Sequence, residues 1–231
     1  MRMTLSSVST HMASYLSKNT VSDTDNSEIY AYGLEILLGA IIKLLAILVS
    51  AWLLKSLSAT LVVLATYAAL RCFGGGAHMS TYFKCLLVGS TIIVCLGRLS
   101  HITLTSISLQ YLAIVAAVSA FVICLKWVPG DTAIKPIRDR SICLGQKIKM
   151  SIMILLWSYT VLHLIQLNLN TFALAMILGC IFAVFLITPW GYRLFELIDK
   201  YVLRGGENND NEEVCYEHSC SSTCINCRNR N

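Results

Sequence analysis

Residues 71–85 read Arg71-Cys-Phe-Gly-Gly-Gly-Ala-His78-Met-Ser-Thr-Tyr-Phe-Lys-Cys85, and they join two apolar runs, 59–72 and 82–98. This joint decides how the chain is read. Two lipid-compatible segments meet at a short polar connection holding three glycines, an arginine, a histidine and a cysteine. A thiolate nucleophile needs a base to accept its proton and a nearby positive charge to favour the anion. Those residue types stand together here, at the edge of a membrane segment.

Working outward, the composition fits lipid. Of 231 residues, 56% are hydrophobic and 13% are charged, against about 25% charged in a soluble domain. Mean hydropathy is +0.66. Further apolar runs at 34–54, 107–126, 150–168 and 171–190 complete a set of six; a helical crossing takes about 20 residues. The expected fold is all-α and polytopic, with about six transmembrane helices. The pair beside the glycines is short, and a broken or re-entrant hairpin is an alternative for it. Within 1–20, apolar residues recur at steps of three and four, from Met1 and Leu5 to Tyr15 and Leu16. That spacing suits a helix lying on the bilayer surface; a partly disordered N-terminus is the other reading, and no cleavable signal is read there. Residues 191–204 look like an amphipathic extension of the last helix, stopped by Gly205-Gly206. The division is therefore 1–205, a membrane domain, and 206–231, a flexible cysteine-rich tail.

Basic residues set the orientation. With the N-terminus inside, fifteen lysines and arginines fall on the inner side, two (Lys55 and Arg98) fall outside, and Lys43 lies within the first run. Positive charge marks the cytoplasmic side, so both termini and the His78 segment are expected in the cytoplasm. Lys43 either faces the bundle interior, where Glu35 is a possible partner, or snorkels to an interface.

Cys85 is the candidate nucleophile and His78 its base and later acid. On a straight helix their Cα atoms would lie about 10.5 Å apart, too far for a direct S–N hydrogen bond. His78 is therefore expected at a bent helix start, folding back after Gly74, Gly75 and Gly76. Backbone N–H groups of that run are candidates for an oxyanion site, and Arg71 or Lys84 for the activating charge. The alternative is that cysteines in apolar runs act as small hydrophobes, which suits Cys72, Cys95, Cys124, Cys143 and Cys180. Ser80 and Thr81 are the nearest candidates for a third catalytic residue. Of the other histidines, His11, His101 and His163, the last suits an interhelical contact. In the tail, Cys215, Cys220, Cys224 and Cys227 with His218 contain one C-x2-C pair. Zinc is a minor reading there, since paired knuckles are the stronger pattern. No cofactor and no nucleic-acid partner is expected.

Arg71, Gly75-Gly76, His78 and Cys85 resemble the catalytic segment of the accessory gene regulator B family (AgrB). Pro129-Gly-Asp131-Thr-Ala-Ile-Lys135-Pro136 is similar to that family's loop after the fourth span. The resemblance covers about residues 1–205. Ala77 stands where the family usually has an aromatic residue, Cys72 where a basic one is common, and the cysteine-rich tail has no counterpart. The resemblance implies a bacterial cell-membrane cysteine endopeptidase, a thiol protease of quorum sensing. Its partner would be an AgrD-like peptide precursor, and it would work as a homodimer. Cys85 would attack the precursor, release its C-terminal part and form a thioester, from which a cyclic thiolactone or lactone peptide closes. Lys126, Lys135, Arg138 and Arg140 are expected to attract acidic or membrane-bound precursor segments, or else to serve topology and lipid contact. Two other functions stay open: a cysteine-dependent acyltransferase, and a non-enzymatic scaffold or exporter for a small peptide. The cleavage sequence and the ring chemistry are not encoded in these patterns.

Overall fold

The computed structural model describes residues 27–76, 82–128 and 140–201. Seven helices fill these stretches: α1 (Ser27–Leu53), α2 (Leu57–Gly74), α3 (Tyr82–Leu99), α4 (Ser106–Trp127), α5 (Arg140–Gln166), α6 (Asn170–Phe185) and α7 (Pro189–Tyr201). No strand occurs among the described residues. The chain divides into two compact units, Met1–Ser50 and Ala51–Asn231.

Four helical segments are long and apolar enough to cross a membrane: Gly33–Leu53, Leu57–Gly74, Ser106–Trp127 and Cys143–Gln166. A fifth crossing is possible if α6 and α7 count as one bent span. The count is thus four to five among the described residues, where hydropathy led to six. These helices carry large apolar side chains on their exposed surfaces, among them Leu61, Val115, Val118, Leu155 and Leu156. That is the pattern of helices facing lipid, where burial carries no premium over contact with acyl chains. Exposed Trp52, Tyr111 and Tyr159 lie toward one end of the helices, and exposed Trp190 at the other, as aromatic residues do at the two interfaces of a bilayer.

The unit from Ala51 onward is built around α6, which lies against α2, α3, α4 and α5. Its buried side chains are mostly small or slender: Ala173, Ala175, Gly179, Cys180 and Ala183. Small residues let backbones approach, and close van der Waals packing is what holds helices together in lipid. At Gly179 a Cβ would sit 2.9 Å from the Val63 carbonyl oxygen and 3.1 Å from Thr66 Cβ. α2 therefore touches α6 backbone to backbone. Gly97 of α3 admits Thr60 of α2 in the same way; its Cβ would lie 2.7 Å from Thr60 Cα. Trp157 of α5 donates its indole N–H to the Met176 carbonyl at 3.2 Å, using a carbonyl of the central helix.

Hydroxyls inside the apolar helices are satisfied by their own backbone. Ser158 donates to Ile154 O and Thr160 to Leu156 O, each at 2.8 Å, the usual solution where water is absent. At the end away from the glycines, two turns close with the same device. Leu169 N–H donates to Leu164 O and Asn168 N–H to Ile165 O, both at 3.0 Å, with Asn168 at φ 57°. Ser56 N–H reaches Ala51 O at 2.9 Å and Lys55 N–H reaches Trp52 O at 3.0 Å, with Lys55 at φ 52°. Both are Schellman closures, which use the last carbonyls of a helix and reverse the chain.

A bent pair occurs elsewhere than at the glycines, where a broken hairpin was the alternative. α2 and α3 are each continuous helices of 18 residues, whereas α6 and α7 meet at 86°. The sequence pattern suggested that 191–204 extend the last helix; of these, 191–201 belong instead to a separate helix at that angle. The chain turns at Leu186-Ile187-Thr188, because Thr188 caps a new helix. Its hydroxyl accepts from Gly191 N–H at 3.3 Å, and Pro189 sits at the first helical position, where its missing N–H costs nothing. The surface helix expected within 1–20 and the tail 206–231 lie outside the described residues.

Gly179→Ala should lower stability by about 1–3 kcal/mol, since the new Cβ meets main chain that cannot step aside. Gly145→Ala, where nothing lies within 4 Å, should be neutral or slightly stabilising. Thermal unfolding of the two variants in detergent checks the contrast.

Candidate active site

The site starts at the end of α2. Gly75 N–H donates to Arg71 O at 3.1 Å and so caps the helix, at φ 70° and ψ −146°. Gly76 follows at φ 126°. Glycine enters this left-handed half of backbone space without a Cβ penalty. Space is tight as well. A Cβ at Gly74 would stand 2.6 Å from Ile187 Cδ1; one at Gly76 would stand 3.0 Å from Leu186 O and 3.2 Å from Arg71 Nη1. The glycine run is pressed onto the bend between α6 and α7. Gly191 touches the same bend from its far side, its Cβ position lying 2.9 Å from Leu186 Cα.

Arg71 is held across this junction. Nη2 donates to Gly76 O at 3.5 Å, and the guanidinium lies 5.6 Å from the centre of the Tyr67 ring, within cation–π range. Tyr67 in turn stacks on Phe182 of α6, with centroids 5.2 Å apart and planes at 24°. The positive charge is thereby fixed in place between α2 and α6.

Cys85 is half-buried one turn into α3. It packs against Leu186 and Phe195, together with Tyr67, Val88, Ile92, Phe182, Phe185, Tyr192 and Ile198. Cys85, Val88 and Ile92 form one stripe of α3 at helical spacing. Tyr192, Phe195 and Ile198 form a stripe of α7 in the same cluster as Cys85. Exposed Arg193 and Glu196 lie on the other side of α7. Tyr67 lies within electrostatic reach of both Arg71 and Cys85. One end of the bundle thus combines a thiol, a fixed guanidinium, a phenol and further aromatic side chains.

Of the residues singled out from the sequence, Arg71, Gly74, Gly75, Gly76 and Cys85 meet at this end. Gly74 is the last residue of α2 and the Gly75 N–H is engaged with Arg71 O. Both glycines therefore serve packing and capping rather than presenting N–H groups to an oxyanion. His78, Ser80, Thr81, Lys135, Arg138 and the four tail cysteines lie outside the described residues. Lys126 rests on the Trp127 ring at 4.5 Å, and Lys147 donates to Leu125 O at 3.0 Å, capping α4. Cys124 and Cys180 are buried, and Cys124 faces Lys147 O at 3.7 Å and Ser151 Oγ at 3.8 Å. Among the described residues no group of histidine, cysteine and carboxylate side chains is placed to hold a metal ion. Tyr67, Phe182, Tyr192 and Phe195 were not singled out; they read as ordinary members of apolar helix faces. The sequence signal for Tyr67 was its place one turn before Arg71.

The model of the accessory gene regulator B family matches residues 9–187. The chain belongs to that family. Two relatives from Clostridium perfringens carry the provisional name AgrB-like protein. One, from strain SM101 / Type A, is 26% identical over 192 residues, covering 78% of this chain and 89% of the relative. The other, AgrB-like protein 2 from strain 13 / Type A, is 29% identical over 138 residues, 58% of this chain and 64% of the relative. No solved structure matches. AgrB membership points to a part in the accessory gene regulator system of quorum sensing, and it implies in general an AgrD-like precursor as partner.

Two substitutions test the junction that AgrB-type segment forms. Gly76→Ala should cost about 1–2 kcal/mol through its backbone conformation alone. Thr188→Ala should cost about 1 kcal/mol by removing the cap of α7. Both losses should appear as lowered thermal midpoints in detergent.

Proposed function

We propose that this AgrB-family protein is a membrane-embedded cysteine endopeptidase acting on an AgrD-like precursor, with Cys85 as nucleophile and His78 as general base and acid. The observation that carries the reading is the place of Cys85. It packs on the same Leu186–Phe195 cluster as Tyr67, whose ring the Arg71 guanidinium faces, at the end of the helices where the family's histidine-bearing segment enters α3. The protein crosses the membrane six times, with α3 and the combined α6–α7 among the crossings. Both termini lie in the cytoplasm; Arg71, Lys84, Lys126, Lys147 and Arg193 gather at the Cys85 end, against Lys55 and Arg98 at the other.

The reaction balances as two acyl transfers. Cys85 gives its proton to His78 and attacks a peptide carbonyl of the precursor. The tetrahedral intermediate collapses, His78 protonates the departing amine, and the C-terminal fragment leaves. The resulting thioester holds the N-terminal part on Cys85. A cysteine or serine within that peptide then attacks the same carbonyl, closing a thiolactone or lactone and returning the thiol to Cys85. Exchange between thioesters is nearly even in energy, so water must stay out while the ring closes. The apolar side chains that α6 and α7 add to the Cys85 cluster serve this need. Arg71 supplies positive charge for the developing oxyanion. Lys135 and Arg138 attract the acidic end of the precursor.

Coexpression with the cognate precursor should yield a truncated peptide with the native chain and none with Cys85→Ala. His78→Ala should show no acyl-enzyme on mass spectrometry. Intact precursor beside the native chain would remove the endopeptidase reading in favour of a scaffold or exporter. Replacing Lys135 and Arg138 by glutamate should slow cleavage at least tenfold; an unchanged rate would remove their part in capture.

A further inference from the structure

The end of the bundle opposite Cys85 carries a feature that the reaction above does not use. Cys85 and Arg98 stand near the two ends of α3, about 20 Å apart along the helix. Beside Arg98 opens a recess of about 540 Å³, lined by Leu54, Cys95, Arg98, Leu99, His101 and Ile102. Its walls are the turn between α1 and α2 and the end of α3, which the close approach of Thr60 to Gly97 holds side by side. Lys55 and Arg98 are the two basic residues that the sequence sets apart from the other fifteen. The fold brings both here: Arg98 lines the recess, and Lys55 follows Leu54 in the turn.

Arg98 is not taken up by its own helix. A basic residue in a last helical turn commonly serves the free carbonyls there. Here the chain itself satisfies them. Leu96 O accepts from Ser100 N–H at 3.0 Å, Arg98 O from His101 N–H at 3.3 Å and Leu99 O from Ile102 N–H at 3.1 Å. Gly97 O accepts from the Ser100 hydroxyl at 2.7 Å. Among the described residues, none forms a hydrogen bond or ion pair with the Arg98, His101 or Lys55 side chain. Lys55 stands at φ 52°, a conformation that glycine holds without strain and lysine does not. No lining residue is acidic. Leu54, Leu99 and Ile102 are exposed apolar side chains, and exposed Trp52 lies just before the turn, as aromatic residues do at a bilayer interface. Cations beside exposed apolar side chains at that level match a phosphate above acyl chains.

We propose that this recess binds an anionic phospholipid of the adjoining leaflet, with Arg98, His101 and Lys55 holding its phosphate and Leu54, Leu99 and Ile102 lying along its acyl chains. A guanidinium takes a phosphate through two parallel N–H bonds. An imidazole offers an N–H in either tautomer, and the lysine adds charge. With several positive groups and no carboxylate, the recess selects a headgroup of net negative charge, such as that of phosphatidylglycerol. The ammonium of phosphatidylcholine finds no counter-charge there. The site is independent of the endopeptidase reading.

Full-length protein in detergent is mixed with dioctanoyl phosphatidylglycerol, dioctanoyl phosphatidylcholine or inorganic phosphate. N-ethylmaleimide labelling is then followed cysteine by cysteine with mass spectrometry. Cys95 lines the recess and is exposed. Saturating phosphatidylglycerol should slow its labelling about tenfold, and the other two additions should leave it unchanged. Cys72, exposed on α2 near the opposite end, should keep its rate throughout. Arg98→Gln combined with His101→Gln should abolish the protection; both side chains are exposed, so the thermal midpoint should stay at the native value. The arms with the native chain stand on their own. Equal protection by phosphatidylcholine would overturn the proposal by reducing the recess to a general acyl-chain groove. Protection by inorganic phosphate alone would overturn the lipid in favour of a free anion. No protection, protection that survives in the double variant, or an equal change at Cys72 would overturn it too. None of these readouts needs a precursor.

Discussion

The contact on which the rest depends is the one between a glycine-ended helix and a bend. Gly74 and Gly76 close α2 by lying against Ile187 and Leu186, and Gly191 lies against Leu186 from the other side. Two stretches more than a hundred residues apart in sequence thereby meet, through the Ile187 side chain at Gly74 and through the Leu186 carbonyl at Gly76. The lock sets where α2 stops, where Arg71 sits and where α7 begins. Through α7 it also sets what packs in the Cys85 cluster. In a bundle held by shape rather than by expulsion of water, such a joint needs close fit more than it needs apolar area.

Hydropathy made most of the helical architecture legible, and its failures have identifiable physical causes. α5 begins at Arg140 rather than at 150, because Lys147 and Lys149 lower the hydropathy without breaking the helix. Lys147 has a structural use, the Leu125 carbonyl at the end of α4. The last apolar run was read through to 190, yet the helix ends at Phe185. Thr188-Pro189 is a helix-start signal hidden inside an apolar stretch. Chemistry-bearing residues were legible where they were unusual for a membrane segment: Arg71, the three glycines, Cys85. Tyr67 and Phe182 were not, because their meaning comes from a contact between distant helices. His78 belongs to the segment 77–81, and its approach to Cys85 stands as part of the proposal.

The same end of the protein shows how a polar device is held without polar scaffolding. Arg71 donates to a backbone carbonyl and faces an aromatic ring, and Cys85 lies in a mostly apolar cluster. Low polarity strengthens each electrostatic interaction that remains. The price is precision, because little solvent is present to correct a misplaced charge. That is a physical reason for Arg71 to be pinned on both sides.

The right-angled turn into α7 has a stereochemical consequence. Tyr192, Phe195 and Ile198 pack in the same cluster as Cys85, so under the proposed acyl transfer a peptide carbonyl would reach the sulfur from fewer directions. A departing fragment and a ring-closing group would then compete for one opening, and departure would come first without any moving gate.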